Sequence, residues 1–207
     1  SGEGNPVSYW DIMASADYYQ QFPLSYLRYT KGWVPMNEIT QSGDYTLDAN
    51  TNLQVAGMNT GNMQGAGNGY INFIVRMVED WVDDASNIYG MEDAIKAPPR
   101  VDGTGEAGSY HFMEGYPHIY VNGITDWLII PIFEYWQCYG NQQIPVGKDV
   151  DIERNSGVLD YSAEDIARIT STGYMDLEQD ILYPMVKKTM NFWLQYVDER
   201  YYTDGYG

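Results

Sequence analysis

The chain has 207 residues, 44% of them apolar and 15% aromatic, a composition that can bury a core and that excludes intrinsic disorder. Its 29 acidic residues against 11 basic ones give a net charge of −18, which repels phosphate backbones and excludes nucleic acid as an expected partner. A single cysteine, Cys138, excludes an internal disulfide, and no apolar run is long enough to predict a membrane span.

In chain order, the first predicted helix lies within "VSYWDIMASADYYQQFPLSYLRYT", where Pro23 kinks or splits it. The next segment, "YTLDANTNLQ", places Asn50 and Asn52 two residues apart, just ahead of Gln54. Asparagine competes for nearby backbone hydrogen bonds and collects in turns and caps, so a turn is one reading. The other is that the carboxamides converge on a polar ligand or a water.

Residues 68–90, "NGYINFIVRMVEDWVDDASNIYG", carry the strongest periodicity. Ile71, Ile74, Val75, Val78, Trp81, Val82, Ala85 and Ile88 repeat at helical spacing, with Glu79, Asp80, Asp83 and Asp84 opposite and Gly90 as the stop. A third helix is predicted over Val121 to Tyr139, ending at Gly140. "YSAEDIARI" has the Ser162 to Asp165 spacing of a capping box and predicts a short fourth helix. The last helix runs from about Asp176 to Tyr201, with Pro184 marking its start or a kink.

Two stretches between these, residues 91–120 and 141–160, are rich in Gly, Pro and Asp and are read as irregular. No set of segments alternates as a β-sheet does. The expectation is a mainly α protein, one helical domain over residues 1–207, with long loops of the kind that often form a binding face. The chain begins with "SGEG" and ends in "YYTDGYG" after a helix, and it reads as a segment of something longer.

Several chemistries are set aside. "GTGEAG", Gly103 to Gly108, has G-x-G-x-x-G spacing, but neither a strand before it nor a helix after it is predicted, so a loop is the reading. The only histidines are His111 and His118, which leaves no zinc-ligand cluster, and no G-x-S-x-G elbow occurs. No metal and no cofactor is expected. What remains is 20 Tyr and 6 Trp, with amides and carboxylates in the loops. Aromatic faces stack on sugar rings while amides and carboxylates bond hydroxyls, so a glycan is the suggested ligand class. Filling the helix cores is the other use of these rings; Trp127 and Trp136, on an apolar helix, are read that way, and His118 as structural.

The order of the motifs adds a family. "DYTLDANTNLQVAGMNTGNM" resembles the stretch of family 95 glycoside hydrolases that leads through an Asn-x-Asn pair to a Gln and a further Asn, and "INFIVRMVEDWVDDASNIYG" is similar to the helix after it. "GSYHFMEGY" resembles that family's G-W-x-x-H-H-N-T-D-x-W loop, with His111 on the second His, Glu114 on the Asp and Tyr116 on the Trp. "WLIIPIFEYWQCYGN" and "ILYPMVKKTMNFWLQYV" resemble the two following helices, so the likeness covers most of residues 45–200.

The resemblance implies a segment of an (α/α)6 toroid and an inverting exo-glycosidase acting on terminal L-fucose or L-galactose. It implies that Asn50 and Asn52 assist catalysis by holding the attacking water, although an ungapped match from Tyr45 would put Asp48 and Asn50 there. His111, Glu114, Tyr116 and Asn59 are implied to contact substrate. The departures are specific: "VAGMNTGNM" lacks the family's Tyr-Trp, the double His is single, and the Asp of the loop is Glu114. The family's general acid and base fall downstream of the last helix here, inversion needs two carboxyls, and an amide is no general base near neutral pH. Within the chain the carboxyl candidates are Glu114, Glu106 and Asp126.

Three classes follow: a segment of a fucosidase-like hydrolase, a non-catalytic carbohydrate-binding helical module, or a helical structural or interaction domain of an acidic cell-surface protein. The expected setting is secreted or cell-surface, in a bacterium. Half a toroid would expose apolar helix faces, so a homodimer or a missing partner segment is expected to complete the core.

Overall fold

The computed structural model describes residues 45–47, 49–101 and 121–200. The helix predicted around Pro23, the 103–108 glycine motif, Glu106, His111, Glu114, Tyr116 and His118 lie outside the described residues.

The described chain is mainly α. In order it forms β1 (Tyr45–Thr46), α1 (Ala49–Val55), α2 (Gln64–Val75), α3 (Val78–Tyr89), β2 (Arg100–Val101), α4 (Ile124–Tyr139), β3 (Gln143–Pro145), α5 (Ile152–Ser156), α6 (Ala163–Thr172), β4 (Tyr174–Asp176), a π-helical turn (Leu177–Leu182) and α7 (Tyr183–Arg200). Two antiparallel ladders tie distant segments: Tyr45 pairs with Val101, and Ile144 with Met175.

α2 is the central helix. Tyr70 to Val75 are buried without interruption, and they pack with Trp81, Leu128, Ile132, Met175 and Ile181 in one core. Close approach of α4 explains Gly67, because a Cβ there would lie 2.5 Å from the Tyr135 ring. The tyrosine hydroxyls then anchor the pair: Tyr70 donates to the Leu128 carbonyl at 2.7 Å and Tyr135 to Asn68 Oδ1 at 3.0 Å. Asn72 fixes the β3 loop, donating to the Pro145 carbonyl at 2.9 Å and accepting from the Gly147 amide at 2.7 Å.

The single helix predicted over 68–90 is two. Met77 donates to Ile74 instead of continuing the α pattern, and α3 restarts at Val78 with its apolar residues still on the core side. A break that keeps the buried side in phase leaves the apolar period unchanged. Gly90 ends α3 at φ 67°, and Gly140 ends α4 at φ 73°, the stops the sequence marked.

Residues 141–160 are more ordered than predicted, since they contain β3 and α5. A ladder of three residues is too short to show alternation. The capping box forms: Ser162 Oγ accepts from the Asp165 amide at 3.1 Å, and Asp165 Oδ2 from the Ser162 amide at 3.0 Å. The last helix opens through the π turn, whose first amides are capped by Asp176, and Pro184 is the second residue of α7, where the Asp180 carbonyl four residues back accepts from the Tyr161 hydroxyl at 2.8 Å in place of the missing N–H.

Candidate functional site

The Asn-x-Asn pair lies in α1. Positions two apart on an α-helix are separated by about 200° around its axis, so the backbone sets positions 50 and 52 on different sides of α1. Thr51 and Val55 take the buried face, Leu53 the exposed one, and Asn52 is half-buried with an Oδ1 that has no partner among the described residues. Asn59 is buried: its side-chain nitrogen donates to the Pro131 carbonyl at 2.9 Å, and its backbone carbonyl accepts from the Tyr139 hydroxyl at 2.8 Å. Asp126, the one carboxyl candidate within the described residues, accepts the Trp193 indole N–H through both oxygens, at 3.0 and 3.1 Å.

A second constellation lies at the C-terminal end of α4. Phe133 and Trp136 stack at 5.5 Å with planes 20° apart, and Phe133 is 46% exposed. Trp136 rests one side on the core and donates its indole N–H to Glu178. Beside it, Asn141 donates to Asp176 at 3.0 Å, Gln143 donates to the same carboxylate at 3.0 Å, and the Asn141 side-chain oxygen accepts from the Glu178 amide at 3.2 Å. The β3–β4 ladder and the π turn hold these amides and carboxylates together, with Tyr174 exposed beside them. The result is an exposed aromatic face bordered by carboxamides and carboxylates on a braced element. Trp127, read as core, is also exposed: α4 is apolar on most of its circumference, and Ile124 and Leu128 take the inward side.

A third cluster is buried. Asp84, placed by its spacing among the solvent-facing acids of α3, is buried instead, beside Lys96 from the loop that follows. Desolvation raises the Asp84 carboxyl from an ordinary 3.8 to about 7 against the pull of Lys96, with Asp80 and Asp83 adding to the rise. Desolvation likewise lowers the Lys96 amine from 10.5 to about 8, opposed by Asp84. Lys96 Nζ lies 5.6 Å from the Tyr89 ring centroid. One Asp84 oxygen, Lys96 Nζ and the Trp81 indole N–H have no hydrogen-bond partner among the described residues. Burial closes this pair to a ligand arriving from solvent, so it bears on stability. Its sequence signal, a lysine in a Pro- and Ala-rich loop after an acidic helix, names no partner.

Among the described residues no group of His, Cys, Asp and Glu could hold a metal ion, and no helix is long and apolar enough to cross a membrane. No family model, no curated protein and no solved structure matches the chain.

Proposed function

We propose that this chain is a carbohydrate-recognising helical protein, built as a segment of an (α/α)6 toroid of the fucosidase-like kind. The observation that carries the reading is the stacked Phe133–Trp136 face with Asn141, Gln143, Asp176 and Glu178 at its edge. A pyranose offers an apolar C–H face to an aromatic ring and hydroxyls to flanking amides and carboxylates, which is the pairing this surface supplies. The ordered motif resemblance across residues 45–200 points to the same ligand class and supplies the sugars to test, terminal L-fucose and L-galactose. Hydrolysis with inversion is the activity that goes with the resemblance, and it calls for two opposed carboxyls. A secreted or cell-surface bacterial setting, and pairing with a second copy or a further segment, complete the reading.

The test is a fluorescence titration of the folded chain with L-fucose, L-galactose, D-galactose and a fucosylated oligosaccharide, with Phe133→Ala, Asn52→Ala and His111→Ala alongside. Saturable binding lost in Phe133→Ala supports the α4 face. Binding lost only in Asn52→Ala and His111→Ala moves the site to the motif residues, and no binding by any folded form removes the carbohydrate reading.

A further inference from the structure

α7 is apolar on two opposite sides. Met185, Phe192 and Leu182 just before it are buried inward, as expected of a helix on a core. On the outer side Tyr183, Val186, Met190, Leu194 and Val197 form a second stripe, each between 43% and 72% exposed. At about 100° per residue these five fall within an arc of roughly 80°, along about 21 Å of helix. A helix with apolar residues on two opposite sides can pack between two layers, its polar flanks carrying Lys187, Asn191 and Asp198.

The stripe does not stop at α7. Trp193, on its edge, bonds Asp126 of α4, and beside that junction α4 exposes Trp127 and Ile130, leaving Phe133 outside it. The largest apolar patch on a monomer is commonly about 300–600 Å². A stable pair of proteins buries about 800 Å² on each partner, so a face spanning α7 and α4 suits a dimer better than the stripe of α7 alone.

The spacing of the α7 stripe reads the same in both directions. Tyr183, Val186, Met190, Leu194 and Val197 are separated by three, four, four and three residues, centred on Met190. Laid antiparallel on its own copy about a twofold axis through Met190, the stripe sets Tyr183 against Val197 and Val186 against Leu194. Each large side chain then meets a smaller one, and only Met190 meets itself. An isologous interface demands this self-complementarity, and a heterologous partner does not. The five positions carry no charge in a chain of net charge −18, so this is a face on which a second acidic copy can settle.

We propose that the outer face of α7, continued by α4, is the twofold interface of a homodimer with Met190 on the axis. This deepens the pairing part of the proposed function and is independent of sugar binding, so a dimer that binds no glycan, or a monomer that binds one, separates the two. Because each copy is strongly acidic, added salt screens their repulsion and tightens the dimer.

The test is sedimentation equilibrium of the full chain and of Met190→Glu, which sets two carboxylates against each other on the axis. The expected result is a dimer whose dissociation constant rises at least about tenfold in Met190→Glu with unchanged helical circular dichroism. Should that variant misfold, cross-linking in a Cys138→Ser background decides. Met190→Cys should link to itself under mild oxidation, Tyr183→Cys alone should not, and Tyr183→Cys mixed with Val197→Cys should. A monomer, with the stripe covered by another segment of the chain or left open, overturns the proposal. So does a dimer in which Met190→Cys fails to self-link.

Discussion

Lys188 of α7 and Asp93 of the loop after α3 form an ion pair across 95 residues of sequence, and the same ammonium reaches Asp160 Oδ1 at 3.0 Å. Both aspartates sit in left-handed backbone, at φ 52° and 58°, a conformation that Asp adopts more easily than most side chains. Lys188 itself is buried, so two loops are turned to bring carboxylates to one buried cation.

Removing the cation should cost less than removing its partners. Lys188→Met frees two carboxylates that can turn to water, and about 1–3 kcal/mol of stability is expected to go with the charged hydrogen bonds. The double variant Asp93→Ala, Asp160→Ala leaves a buried ammonium without an acceptor from either loop, at about 3–5 kcal/mol. Urea denaturation of both variants checks the order, and a larger loss in Lys188→Met would contradict it.

Asp84 and Lys96 should give stability a minimum between about pH 7 and pH 8. Asp84 holds its proton more tightly when folded, from an ordinary 3.8 up to about 7, so stability from it is full below the unfolded value and falls as pH rises through that window. Lys96 releases its proton more easily when folded, about 8 against 10.5, so its contribution recovers as pH rises between those values. Asp84→Asn should flatten the acid-side decline and Lys96→Met the alkaline-side rise. Melting temperatures across pH 4 to 10 read both arms, and an unchanged profile in the variants would refute the assignment.

The glycines of α2 should part company on substitution. Gly67→Ala drives a methyl to within 2.5 Å of the Tyr135 ring and is expected to destabilise by about 1–3 kcal/mol. Gly65→Ala and Gly69→Ala meet nothing within 4 Å and should stabilise by about 0.5–1 kcal/mol through helix propensity. Thermal melts of the three single variants distinguish close approach from propensity.

What could be read in the sequence was local chemistry. The capping box of Ser162 and Asp165 needs only three residues of spacing, and the stops at Gly90 and Gly140 need only a glycine after an apolar period; all three are present. The break at Met77 was invisible because α2 and α3 keep one buried side, and the β3–β4 ladder because three residues carry no period. Asp84 stands among the acids Glu79, Asp80 and Asp83, which suggests solvent, yet it follows Trp81 by three residues at the edge of the buried face; only its partner Lys96, twelve residues on, is beyond the reach of helical periodicity. The Phe133–Trp136 face is not legible in the sequence, since an apolar helix does not mark which of its aromatics point outward.

The most direct test of carbohydrate recognition follows the indole N–H resonances of the six tryptophans while a fucosylated oligosaccharide is added. The Trp136 resonance, whose N–H is bonded to Glu178, is expected to shift saturably, and Phe133→Ala to abolish the shift. A Trp136 resonance that stays put at saturating sugar, while the chain remains folded, would contradict it.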